Sequence, residues 1–304
     1  MFASFMLAAA ALAQPIVIPL GKNPPKVERP IAPIETAGPL FASQCTENDD
    51  WDKPAPPVRI HGNTYLVGTC GISSILITDK AGHILIDGGT EKGAELIAAN
   101  ISKLGFKLKD VKYLLHSHEH IDHVGGIARL QQLTGATLVA SAEAAKVFET
   151  GTAGAGDPQI GLHPPFPAAS VGRVITDGQD VRLGGLALTA IATPGHTTGA
   201  LSWHWGSCDG GDCRRIVFAD SLNPISRDNY KFSDRPAYVA AFRASIAKVA
   251  AVDCEILLTP HPSASNMIKR MAGIDPLVNT NACRDYAASK TKALDERLAK
   301  EAVK

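Results

Sequence analysis

The eight residues HSHEHIDH, positions 116–123, follow directly on the apolar run VKYLL. The chain holds ten histidines in 304 residues and sets four of them here, with a glutamate and an aspartate between them. No other stretch restricts the fold as much. A strand must end where the cluster begins, so that the imidazoles sit on the loop leaving it, where α/β proteins collect reactive groups. In such a loop His118 and His120 can converge on one point while Asp122 and His123 reach a second. Gly125 and Gly126 then allow a sharp turn into the next helix. Neutral imidazole and carboxylate are the donors preferred by zinc and its divalent neighbours. Structural zinc sites are generally closed by four Cys or His ligands, and no cysteine lies near this cluster, so open, catalytic coordination is the expectation.

Two further histidines stand in comparable settings. TPGHTTG places His196 at a strand exit, and LLTPHPSAS places His261 after an apolar run. In both, a Thr-Pro step restrains the backbone around the imidazole before any metal arrives. With the first cluster they complete two triads.

Around these motifs short apolar runs alternate with polar turns: NTYLVGT, SSILITD, HILIDGG and KYLLHSH read as strands. Helical patterns follow at about 90–103 and 126–133, then ATLVAS as a strand and AEAAKVFE as a helix. Residues 151–168 form a long Gly/Pro-rich loop without period. RVITDG, VRLGGLALTAIATPGH, LSWHW and RIVFADS are again strand-like. A helix is expected over 236–251, a buried strand at EILLTPH and a charged helix over 278–302. Two runs of strands, each followed by helices, indicate an α/β fold in which a sheet pair is covered by helices. Trp203 and Trp205 alternate along one strand and are read as core.

Residues 1–13 are expected to be a signal peptide: the apolar stretch ends in Ala11-Leu12-Ala13 and is too short to span a bilayer. Residues 14–57, rich in proline, read as an extended arm, leaving 58–304 as the catalytic domain. Six cysteines fit an oxidising compartment. Cys208 and Cys213 bracket a turn and are paired first, with zinc ligation the competing reading. Cys45 with Cys70 and Cys254 with Cys283 are then the shortest remaining loops. Lys plus Arg balances Asp plus Glu at 30 each, so no net field favours nucleic acid or an anionic membrane.

HSHEHIDHVGG, LIDGG, TPGHTTG, FADS and the late histidine resemble the metallo-β-lactamase superfamily over roughly residues 58–300. VGTCGISSILIT, GHILIDGGTEKGAELIAANI, GDPQ, SWHW, FADSLNPIS and LLTPHPSASN are similar to its subclass B3. The resemblance implies an αββα sandwich, two β-sheets with helices on both outer faces, and a zinc-dependent β-lactamase. It implies two Zn2+ per chain, the first held by His118, His120 and His196, the second by Asp122, His123 and His261. A metal-held hydroxide would attack the lactam amide of penicillins, cephalosporins or carbapenems, with Asp122 orienting it. The subclass is typically exported, which implies a periplasmic or secreted protein, and some members carry three disulfides. Ser221, Asn223 and Gln159 fall where the family contacts substrate; at position 223 the family often has Ser or Thr.

Several residues stay open. His116 is a neighbour of the site, a rim residue or simply solvated, and is not expected to bind metal. Asp87 either supports the site or closes a turn. Asp220 is open because an aspartate after a comparable strand bridges the metals in hydrolases such as glyoxalase II. His61, His83, His163 and His204 are read as structural or surface residues, with His163 a further candidate to touch substrate. Another exported metallo-hydrolase, a lactonase or thioester hydrolase, is the alternative function, and a non-catalytic zinc module a remote one. The partner is a small-molecule substrate; no nucleic acid and no stable membrane association are expected, and the chain is expected to be a monomer.

Overall fold

The computed structural model describes residues 34–303. The expected signal peptide and the first part of the arm lie outside the described residues. The first half contains α1 (Ile34–Gln44), β1 (Val58–His61), β2 (Thr64–Leu66), β3 (Ile75–Asp79), β4 (Gly82–Ile86), α2 (Gly93–Lys103) and β5 (Val111–Leu115). It continues with α3 (Ile121–Val124), α4 (Ile127–Thr134), β6 (Thr137–Ala140), α5 (Ala142–Thr150) and β7 (Val171–Val174). The second half contains β8 (Asp180–Leu183), β9 (Leu186–Ala192), β10 (Leu201–Asp209), β11 (Asp212–Phe218) and α6 (Pro236–Ala251). β12 (Ile256–Leu258), α7 (Met267–Met271) and α8 (Ala282–Ala302) complete it.

Strands β1 to β7 form one sheet in chain order, antiparallel up to β4 and parallel from β4 to β7. The second sheet runs β12-β11-β10-β9-β8, antiparallel except for the β11–β12 pair. Alternation along single strands explains how the layers stack, because successive side chains leave a strand on opposite faces. Ile75, Ile77, Ile84 and Ile86 pack with Trp203, Trp205, Ile216, Phe218, Ile256 and Leu258 in the core between the sheets. The intervening Leu76 and Leu85 face outward, against Ile97 and Ile101 of α2 and Ile127 and Leu130 of α4. On the second sheet Val217 and Leu257 face outward, against Phe242 and Ile246 of α6 and Tyr286 and Leu294 of α8. Helices thus cover both outer faces, and the expected αββα arrangement is the one found.

Local signals set the helix ends. Ser141 caps α5 by accepting from the Ala144 N–H, and Gly151 closes it in the left-handed region at φ 67°. Pro236 opens α6 at a position where its missing N–H costs nothing.

The arm needs a correction: residues 34–44, expected to be extended, form α1. Ala37, Phe41 and Cys45 recur every four residues and are buried in the core between the sheets, so one apolar face drives the helix despite Pro39 inside it. The three disulfides join Cys45 to Cys70, Cys208 to Cys213 and Cys254 to Cys283, as expected. Among the described residues no helix is long and apolar enough to cross a membrane.

Candidate metal centre

Four strand exits converge at one end of the sandwich. β5 ends at Leu115 and releases His116 to His120; His120 then precedes α3, a single turn that carries Asp122 and His123. Gly125 and Gly126 keep right-handed backbone there, φ −56° and −86°, so their role is not a left-handed turn. It is close approach: a Cβ at Gly126 would lie 2.3 Å from Gly88 O, where the loop after β4 crosses. β9 leads to His196, whose loop is held from below by α6. Tyr238 Oη donates to Gly195 O, Ser245 Oγ donates to Pro194 O, and a Cβ at Gly195 would strike the Phe242 ring at 2.3 Å. β12 leads to His261, and the Ser73 N–H donates to Pro260 O just before it.

His118, His120 and His196 each offer a donor atom, all within 4.8 Å of one another, and so do His118, Asp122 and His123. His118 belongs to both groups, so the two clusters are adjacent. Asp122 Oδ2, His123 Nε2 and His261 Nε2 stand 3.0, 3.3 and 3.4 Å apart. Donors of a tetrahedral zinc with bonds of about 2.0–2.1 Å stand about 3.3 Å apart, so this triad fits such an ion.

Four of the five imidazoles have their other nitrogen hydrogen-bonded by the protein. His118 Nδ1 meets Asp220 Oδ1 at 2.8 Å, and His120 Nε2 meets Asp157 Oδ2 at 3.0 Å. His196 Nδ1 donates to Asn223 O at 2.8 Å, and His261 Nδ1 donates to Gly71 O at 3.2 Å. His123 Nδ1 has a longer contact, 3.5 Å, with Asp87 Oδ2. Such outer acceptors fix ring orientation and tautomer and are the usual accompaniment of metal-binding histidines. Asp87 adopts φ 63° and also accepts from Ser117 N–H and Oγ, so its carboxylate joins β4 to the histidine loop.

The electrostatics agree with a site built for a cation. Burial, and then the neighbouring histidines, hold His118 and His196 well below the ordinary imidazole range. Burial, then His123, brings His261 down to about 4. At Asp122 burial pushes upward, but His123, His118 and His261 outweigh it and hold the carboxyl well below its usual range. At His123 burial pulls downward, but Asp122 and Asp87 prevail and raise it. An ionised Asp122 with neutral His118, His196 and His261 is in the ligand state a divalent ion requires, whereas His123 must give up its proton when the ion binds.

The other predicted residues fall around this centre. Gln159 Nε2 lies 3.4 Å from His196 Nε2, Ser221 is nearly buried, and Asn223 is partly exposed beside His196. His163 has its ring 5.8 Å from that of His120 and 6.1 Å from Trp51, so it stands at the edge of the centre. His116 is turned away: it is fully buried against Phe148, and its Nε2 accepts from the Ser141 N–H. Trp203 and Trp205 are core residues whose indole N–H groups donate to His116 O and Thr64 Oγ1. Sequence reasoning passed over Asp157, though it stands in the same GDPQ motif as Gln159. It also passed over Tyr286 and Lys290 of α8, for which no local signal exists.

The family model of the metallo-beta-lactamase superfamily matches residues 67–261, and the chain belongs to that superfamily. The solved structure of the MIM-2 metallo-beta-lactamase is similar at 53% identity and TM-score 0.84, over 87% of this chain and 98% of that one. MEM-A1, a subclass B3 metallo-beta-lactamase from a soil metagenome library, is similar at 45% identity and TM-score 0.80, over 84% and 99%. A curated relative, the hydroxyacylglutathione hydrolase of Rhodopseudomonas palustris (strain BisB5), is 32% identical over 49% of this chain. The chain spans half the length of that relative, 50%.

Proposed function

We propose that this protein is a zinc-dependent β-lactamase that opens the cyclic amide of penicillins, cephalosporins and carbapenems. Two zinc ions per chain would be held, one by His118, His120 and His196, the other by Asp122, His123 and His261. When bound, the metal supplies Lewis acidity and a water acidified toward neutrality, so no serine or cysteine nucleophile is needed. Asp122 orients that water. Ser221 Oγ and the Asn223 amide donate to the carboxylate of the substrate, and Gln159 lines the wall beside His196.

The observation that carries this reading is the orientation of Asp220. Its carboxylate is engaged by His118 Nδ1, which leaves Asp122 as the one carboxylate in the triads and Ser221 as the next residue along the edge. The high identity to MIM-2 over nearly its whole length supports the same assignment. Thioester hydrolysis is the second reading, supported by the hydroxyacylglutathione hydrolase relatives. Three disulfides and the apolar N-terminus support export to the periplasm or beyond, and the chain is proposed to act as a monomer.

Side-by-side kinetics on a carbapenem, a cephalosporin and a hydroxyacylglutathione thioester test the choice. The lactams should show the larger kcat/KM, by at least about a hundredfold, the size of a well-discriminated substrate pair. A thioester kcat/KM above both would overturn the proposal.

A further inference from the structure

Helix α8 reaches the centre from behind through two residues one turn apart. Tyr286 Oη lies 2.8 and 2.7 Å from the carbonyl oxygens of Asp220 and Ser221 and donates to that pair. Lys290 Nζ donates to Asn223 Oδ1 at 2.5 Å and lies 4.7 Å from the centroid of the Tyr286 ring. Lys290 is only 9% exposed. A buried ammonium normally faces a carboxylate. Here its hydrogen-bond partner is a neutral amide, which calls for a reason other than stability.

The reason follows from donor chemistry. An ammonium only donates, so the amide oxygen of Asn223 must face Lys290, and Nδ2, on the other branch, is directed elsewhere. Among the described residues no protein atom accepts from Nδ2. The backbone of Asn223 is fixed too, because its carbonyl accepts from His196. Between Ser221 and Asn223, Leu222 is held in the left-handed region at φ 46°, a conformation that a residue with a side chain rarely adopts. The edge is therefore clamped from α8 at one end and from the first triad at the other. Burial lowers Lys290 to about 8, against the opposing pull of Asp220, so it is still charged at neutral pH.

We propose that Lys290 is a specificity-determining positioning residue: it locks the Asn223 amide so that Nδ2, with Ser221 Oγ, is presented to a carboxylate on the substrate. The proposal rests on the β-lactamase reading, since the carboxylate adjoins the scissile amide. It also accounts for an asparagine where the family often has a hydroxyl: a hydroxyl turns to suit its partner, whereas an amide must be held.

The test compares a carboxylate-bearing cephalosporin with its methyl ester, with zinc content and thermal stability measured alongside. Lys290→Met should raise KM for the acid about tenfold, the loss of one hydrogen bond to a charged group. The ester KM should not move, kcat should stay within about twofold, and zinc content should be unchanged. Asn223→Ser placed in the Lys290→Met chain should recover the acid KM. Independently of how Lys290→Met folds, Asn223→Asp keeps a partner for Lys290 but removes Nδ2, and should raise the acid KM more than the ester KM. Equal effects on acid and ester, a fall in kcat with loss of zinc, or an unchanged acid KM in Asn223→Asp would overturn the proposal. Wild type that turns over neither acid nor ester would overturn the β-lactamase reading itself, and this proposal with it.

Discussion

The carboxylate of Asp220 meets Nδ1 of His118 at 2.8 Å, with both side chains all but sealed from solvent. The pair fixes the tautomer that leaves Nε2 of His118 free for a metal. Asp220→Asn should therefore weaken zinc at the first site about 10–100-fold, the usual effect of losing an outer carboxylate. It should lower kcat, while the second site keeps its metal. Competition with a chromophoric chelator measures both sites. Loss of both metals together would instead mean that Asp220 bridges them.

The histidines separate into two behaviours. His118→Ala or His196→Ala should abolish most turnover along with first-site metal, and Asp122→Ala should weaken the second site and slow the chemical step. His116→Ala should keep both metals and most activity, yet unfold more easily by about 2–3 kcal/mol. That variant leaves a cavity against Phe148 and an unpaired Ser141 N–H. Metal analysis and chemical denaturation of the same four proteins check this; a zinc equivalent lost from His116→Ala would contradict it.

His116 also sets part of the response to acid. Burial lowers it from the ordinary 6.5 to about 3 in the folded chain. Between those values the unfolded chain takes up a proton that the folded chain refuses, so stability falls as pH drops from 6.5 toward 3. His116→Gln removes that proton. Its Tm should decline less steeply than that of wild type between pH 6.5 and 4, and parallel curves would refute the role.

Of the disulfides, Cys254–Cys283 spans 29 positions and Cys208–Cys213 only 5. Chain entropy scales with the logarithm of the loop, so losing the longer bridge should cost about 1.5 kcal/mol more. Denaturant midpoints of the two double-serine variants give the comparison. The reverse order would point to native-state packing around Cys208 and Cys213.

Much of this was legible because the decisive residues sit at chain punctuation. Alternating apolar runs mark the strands, and each of His118, His196 and His261 follows one of them within a few residues, so the site could be located before the fold. What escaped was carried by contacts across the chain. Asp157 is 37 positions from His120, and only its place in the GDPQ motif hints at a role; Lys290 is 67 positions from Asn223, and nothing local distinguishes it from a surface charge. Helix α1 escaped for another reason: prolines around and within it masked a short apolar face that only the sheets complete.

Carbapenem turnover of the purified protein with zinc, after EDTA, and during zinc readdition decides whether the two triads form a zinc β-lactamase site. Hydrolysis should be rapid, abolished by the chelator and restored in full as two zinc ions per chain return. Turnover that survives complete removal of metal, or no lactam hydrolysis by a protein holding two zinc ions, would contradict that assignment.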